Sequence, residues 1–360
     1  MRKFFSAALI FILITSALGG ANAQSAGQGR SPATKPGVVK TSAKSKAPSA
    51  LIEDELVAML PATDLIAVLD VGRAFNELLP KLASLTIGGV DKLAKSIQDF
   101  TLKTGVDPSR IQKVVIGVGM DSTQGSGVVL IHGIDPDSTQ IEAVMKEFGS
   151  EFKTSDYKGI TIYNVLSNAK GPSAGAFSLK TDDLALAALG RQRVAFGDMK
   201  AVKQVVDVQT GAAKGGVSAA MKSALNETRA SALVRFALVV PETLRSEAAN
   251  QGDLFKSVAA IKMILGTFDV AGDFGLSLDA VIRTASQNDA TELENGLKGL
   301  VGLGKDIFGS GDPKTNLIAQ VLDLVKIGSK VNDVSLSISL PREILNQLTK
   351  KETPQPAEKK

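Results

Sequence analysis

At 360 residues without a single cysteine, the chain excludes disulfides, Cys-ligated zinc, iron–sulfur clusters and thiol nucleophiles, yet is long enough to bury a large core without such staples. Its net charge of +4 is unevenly spread: residues 1–23 carry +2, residues 24–50 carry +5 with no acid, residues 350–360 carry +2, and residues 51–349 are left at −5. A mildly acidic folded part with no Trp and two Tyr argues against nucleic-acid binding, which needs clustered Lys and Arg on the domain surface and stacking aromatics.

Arg2 and Lys3 precede an apolar run from Phe4 to Leu18, and Ala21-Asn22-Ala23 supplies the small-x-small pattern of a signal-peptidase site. Residues 1–23 therefore read as a signal peptide, with the exported chain starting at Gln24. The run of about fifteen residues falls short of the ~20 that span a bilayer, and an uncut N-terminal anchor is the competing reading. Residues 24–50, rich in Ser, Ala, Gly, Pro and Lys, read as a disordered basic linker able to touch anionic surfaces weakly. Residues 350–360 read as a disordered tail.

The folded part divides into a first α+β repeat, 51–212, and a second, 217–349, around a flexible glycine joint at 211–216. In the first, Leu51 to Leu60 is expected to be a helix, Asp64 to Asp70 a strand and Arg73 to Leu85 helical. A further helix over Asp91 to Lys103 is expected to turn Leu93, Ile97, Phe100 and Leu102 inward. Strands over Lys113–Val118 and Val128–His132 follow, joined by the turn Asp121–Gly127. A helix capped by Asp135 or Ser138 carries the stripe Ile141, Val144, Met145, Phe148. Lys158-Gly159 marks a turn before a strand at Ile160–Val165. Strands Asp183–Leu189 and Arg193–Phe196 and a helix Met199–Val208 close the half.

In the second half, Gly275–Arg283 and Val334–Leu340 alternate apolar with polar residues, as antiparallel strands with one wet face do. Helices are expected over 286–307, opened by a Ser286/Asp289 capping box, over Asn316–Lys326 and over Arg342–Leu348. Three pairs of segments match in the same order: 65–79 with 233–247, 110–148 with 261–300, and 194–206 with 336–348. The fold class is α+β: two pseudo-repeats, each a mostly antiparallel sheet with helices packed on one face.

Few residues point to chemistry. His132 is the sole histidine, so any triad or His-ligated metal must use it, and no nucleophile or HExxH pattern accompanies it. Alternation sets it on the face opposite Leu130's neighbours or at the strand end, as a structural histidine. Gly299 to Lys305 spells G-x-x-x-x-G-K, but Asp306 stands where a phosphate loop needs Ser or Thr, and the stretch falls within a helix. Its glycines are expected to allow close packing against the sheet. Asp269, Asp273 and Asp279 fit no calcium loop, and Asn226-Glu227-Thr228 is a glycosylation sequon of low specificity. No catalytic, cofactor-binding or metal residues are assigned, and no cofactor is expected. The surplus of apolar residues on 286–307, 316–327 and both faces of several strands fits a lipid-lined cavity, ordinary core or a seam between halves.

Leu60-Pro61, a strand ending at Asp70, and the stretch from Thr104 through Asp107-Pro108 to Gly117 resemble uncharacterised exported bacterial proteins with duplicated α+β domains. The resemblance covers residues 55–210. It implies export and a repeated α+β fold, and it brings no catalytic residues. The expected function is a non-enzymatic cell-envelope protein, periplasmic or secreted, that binds or scaffolds. Its partner is an envelope protein or an apolar ligand. The alternatives are a periplasmic lipid carrier and a hydrolase with an unrecognised carboxylate pair.

Overall fold

The computed structural model describes residues 48–78, 90–120, 126–147, 151–166, 184–250, 259–270, 275–309 and 313–349. The expected signal peptide, residues 24–47 of the linker, the tail, Gly88, Gly89, Phe148 and Asp273 lie outside these residues. Among the described residues twelve strands form one sheet: β1 (Leu65–Asp70), β2 (Lys113–Gly119), β3 (Ser126–His132), β4 (Phe152–Tyr157), β5 (Ile160–Val165), β6 (Leu184–Gly190), β7 (Arg193–Asp198), β8 (Val234–Val239), β9 (Ile261–Val270), β10 (Leu276–Thr284), β11 (Val325–Lys330) and β12 (Asp333–Leu340). Their order is β11-β12-β10-β9-β8-β1-β2-β3-β7-β6-β5-β4, and neighbouring strands pair antiparallel.

That order is symmetric about the pairing of β1 with β8. Counting outward, β1-β2-β3-β7-β6 on one side answers β8-β9-β10-β12-β11 on the other, and the β5–β4 hairpin extends the first side alone. Each pair of segments matched in the sequence supplies strands at equal distance from the seam. The two halves therefore share one continuous sheet, joined by the register Leu65↔Leu238 to Leu69↔Val234.

The helices are α1 (Pro48–Met59), α2 (Val90–Thr104), α3 (Ser138–Glu147), α4 (Met199–Gln209), α5 (Ala219–Glu227), α6 (Glu242–Ala249), α7 (Gln287–Gly309), α8 (Pro313–Asp323) and α9 (Arg342–Thr349), with a helical stretch over residues 71–78 after β1. Local signals place several of them. Asp137, rather than Asp135 or Ser138, accepts from Gln140 N (2.9 Å) at the head of α3. Asp198 accepts from Ala201 N (2.8 Å) to start α4, and Ser286 accepts from Asp289 N (3.2 Å) to start α7.

The expectation of helices on one face is corrected. α1, α4 and α5 pack on one face, where Leu56, Leu60, Ile66, Val68, Val115, Leu130, Ala195, Val202, Val206, Met221 and Leu265 make a single core spanning both halves. α3 packs on the other face, with Ile141 and Met145 against Tyr163, Val165 and Leu186, and α7 sits there too, with Ala290 and Leu293 against Ile282 and Val334. The cause is legible in β6: Ala185, Ala187 and Leu189 belong to the first core, and the alternate residues Leu184, Leu186 and Ala188 to the second. Leu102, expected inward, is 77% exposed, because it lies well round the helix from Ile97.

α1 is the roof of the seam. Its Glu53 pairs with Arg235 of β8, both buried, and its Glu55 reaches Arg193 of β7 at 3.8 Å, so one short helix grips a strand from each half. The expected flexible joint is packed against its end. Gly216 N donates to Leu60 O (2.9 Å), and a Cβ at Gly215 would stand 1.9 Å from Ala58 O. Only residues without side chains fit there. Removing Glu53 leaves a buried guanidinium without its partner, so Glu53→Ala is expected to cost about 3–5 kcal/mol. Urea unfolding of Glu53→Ala against an exposed control, Glu292→Ala, measures it; equal midpoints would remove the pair from the account.

Candidate binding surfaces

His132 ends β3 on the Leu130 side. Cross-strand pairing aligns it in one row with Asp70, Lys113 and Arg193, on the core face. Lys113 Nζ donates to Asp70 Oδ2 (2.8 Å), and Arg193 Nη1 lies 3.2 Å from Met59 Sδ beneath α1. His132 thus stands between two cations already engaged with other groups. Desolvation first, and then the Arg193 charge, hold its pKa below the usual 6.5. Its cross-strand neighbours on this half-buried row are Lys113 and Arg193, neither of them a nucleophile it could activate.

The carboxylates singled out in the sequence go to separate partners. Asp269 accepts from Arg73 Nη1 (2.7 Å) and pairs with Arg229 (3.3 Å), tying the segment after β1 to β9 across the seam. Arg73 also donates to Ser231 O (2.7 Å) and Glu77 (3.0 Å). Asp279 accepts from Ser337 Oγ (2.7 Å) on β12. Arg283 binds both carboxylate oxygens of Asp333 (2.9 and 3.0 Å) and reaches Glu227 of α5 (2.9 Å), and these bonds raise its pKa. These contacts join elements of the fold. Among the described residues no three His, Asp or Glu side chains converge as a metal cluster.

The G-x-x-x-x-G-K stretch lies inside α7, as its sequence indicated, so its amides are spent on the helix. The expectation that its glycines pack against the sheet is corrected. A Cβ at Gly296, Gly299 or Gly302 would meet nothing within 4 Å, and only at Gly304 would it crowd a neighbour, Leu322 Cδ1 of α8 at 2.8 Å. Open space stands over Gly296 and Gly299, while Gly302 lines a cleft between α7 and β11, apart from the outer face of the helix. Leu300, Leu303 and Ile307, at spacing i, i+3, i+7, are 56%, 57% and 59% exposed on it.

Two clefts flank these elements. One of about 220 Å³ lies between α1 and α5, lined by Glu53, Asp54, Val57, Lys222, Leu225 and Asn226. The other, about 430 Å³, lies between α7 and β11, with Val301, Val325 and Ile327 as its apolar surface and Lys298 and Lys305 beside it. Lys298 pairs with Glu294 (2.6 Å) and Lys305 with Asp323 (2.7 Å). The apolar surplus noted in the sequence of α7 is thus partly surface. Its helical spacing was the available signal, but spacing alone does not say which stripe of a two-stripe helix faces the sheet.

No family model matches the chain, and no curated protein matches it. Solved structures similar to it include crystal forms of TP0453, a Treponema protein. Form I matches at 11% identity over 81% of this chain and 95% of that one, with a TM-score of 0.41. Form III matches at 11% identity over 81% and 97%, with 0.42, and form IV at 10% over 82% and 96%, with 0.40. The fold rests on the strand pairing above, not on this likeness.

Because nothing packs on them, Gly299→Ala and Gly302→Ala are each expected to stabilise the protein by roughly 0.5–1 kcal/mol, while Gly304→Ala gains less because Leu322 must move. Urea midpoints of the three variants test this ranking. His132 makes a second expectation. Its folded pKa lies below its unfolded value, so the unfolded chain takes up the proton first, and stability present above pH 6.5 declines as pH falls through the folded pKa. With no other histidine in the chain, His132→Gln should flatten the decline that sets in below about pH 6.5, read as thermal midpoint against pH.

Proposed function

We propose that this is an exported protein of the cell envelope whose role is binding or scaffolding rather than catalysis. The observation that carries the reading is the outer face of α7: three large apolar side chains exposed in helical register, with the open position of Gly299 beside them, on a helix otherwise anchored to the sheet. Such a face suits an amphipathic helix of a partner protein, whose apolar ridge packs on Leu300, Leu303 and Ile307 and comes close at Gly296 and Gly299. The polar groups on the core face support the same reading, since Asp70, Lys113, Arg193, Glu53, Arg235 and Asp269 are taken up in contacts that hold strands and helices together.

A second reading, carriage of an apolar ligand, draws on the α7–β11 cleft, whose volume of about 430 Å³ falls within the range of small-molecule sites. Native mass spectrometry separates the two, since a carrier purifies with a mass beyond the polypeptide.

For the preferred reading, a photo-crosslinking residue at Leu303 in intact cells should give a discrete adduct with an envelope protein. Leu300→Glu with Ile307→Glu should reduce it at least tenfold. Adducts no more abundant than from a probe at Val331, which is also exposed, would sink the α7 surface. N-terminal sequencing of the same material is expected to begin at Gln24.

A further inference from the structure

Among the described residues the sheet ends in two open edges, β4 and β11, each with a single pairing partner. An edge strand offers a row of unused N–H and C=O groups, and proteins normally blunt it. β11 is blunted: α7 lies along it, its Ser329 hydroxyl bonds Glu294 of α7, and it carries Lys326, Gly328 and Lys330. β4 is not. Phe152-Lys153-Thr154-Ser155-Asp156-Tyr157 pairs with β5 in unbroken register, contains no Pro, Gly or bulge, and exposes its four middle residues.

The hydrogen-bond phase of β4 can be worked out. Lys158 and Gly159 form a two-residue turn with φ of 55° and 77°, which makes Tyr157 and Ile160 a hydrogen-bonded pair. At the far end Leu166 N donates to Glu151 O (2.8 Å), in the same phase. Residues 151, 153, 155 and 157 therefore direct their backbone groups to β5, and Phe152, Thr154 and Asp156 direct theirs outward.

We propose that β4 pairs antiparallel with β4 of a second copy of this chain, centred on Thr154, so that the sheet runs on through a twofold axis. In that register Phe152 faces Asp156, Lys153 faces Ser155 and Thr154 faces Thr154, with no like charges opposed and the three outward residues of each strand bonded. A register centred on Lys153 sets two lysines against each other. One centred on Ser155 sets Lys153 against Tyr157, whose ring already has the ammonium groups of Lys158 and Lys203 at 5.5 and 5.3 Å. Pairing of β4 with β11 of another copy brings Lys153 to a strand carrying two lysines, and it leaves free edges that build an open filament rather than a closed dimer. Six residues a side make a small interface, so the dimer is weak and depends on concentration.

Sedimentation equilibrium of the purified protein over a wide concentration range should show monomer and dimer. Thr154→Pro removes an outward N–H and no β4–β5 bond, so association should weaken at least tenfold with the urea midpoint unchanged. Because the chain has no cysteine, Thr154→Cys gives a clean second readout. In the proposed register the two Cα atoms stand about 5.5 Å apart, within disulfide range, and mild oxidation should link most of the dimer. A protein that stays monomeric throughout, or a Thr154→Cys cross-link no stronger than that of Lys330→Cys, overturns the proposal. So does a dimer indifferent to Thr154→Pro. If Thr154→Pro disturbs folding, the cross-link decides.

Discussion

The antiparallel pairing of β1 with β8 is the contact on which the rest of this molecule depends. It joins a seven-strand run and a five-strand run into one sheet, and it sets strands from both halves beneath a single helix, α1. Buried ionic groups cluster there. Glu53–Arg235 is a desolvated pair and Asp70–Lys113 a half-buried one, and such pairs add less stability than orientation: with one partner misplaced, the other is left as an uncompensated charge. The seam therefore tolerates one alignment of the halves, which is what an extended sheet with a shared core requires.

The layering follows from the seam. A sheet with apolar residues on both faces must be covered on both, and the helices divide between them: α1, α4 and α5 on the shared core, α3 and α7 beyond the seam on the opposite face. Farther out in the second half, Ser277, Asp279, Ser335 and Ser337 leave the core-side face polar, so α7 covers one side only. The outer face of α7 then carries an apolar stripe that the fold itself does not use.

Much of the scaffold was legible. Alternation located β10 and β12, apolar runs located β1, β2, β3, β7 and β8, and the matched segments located equivalent strands before any pairing was known. What escaped has a common cause. β4 (Phe152–Tyr157) and β11 (Val325–Lys330) are the two edge strands, and as edges they need no apolar face, so neither alternates as an inner strand does. The turn that should announce β11 is also disguised, since Val331 holds φ of 55°, a conformation that β-branched residues seldom adopt. α5 escaped because a short helix between two turns reads like a linker until Met221, Ala224 and Leu225 are seen in the core.

The sequence by itself determined the composition limits, the α+β class with its antiparallel strands and the harmlessness of the phosphate-loop lookalike, because these depend on residue type and local spacing. Only the tertiary structure decided that the two runs share one sheet, that the glycine segment before α5 packs beneath the end of α1, that His132 stands between Lys113 and Arg193, and that Gly296, Gly299 and Gly302 of α7 are not packed on the sheet. Each of these depends on which surfaces meet. Residues more than a hundred positions apart settle that through desolvation and close approach, and neither leaves a mark on a single stretch of chain.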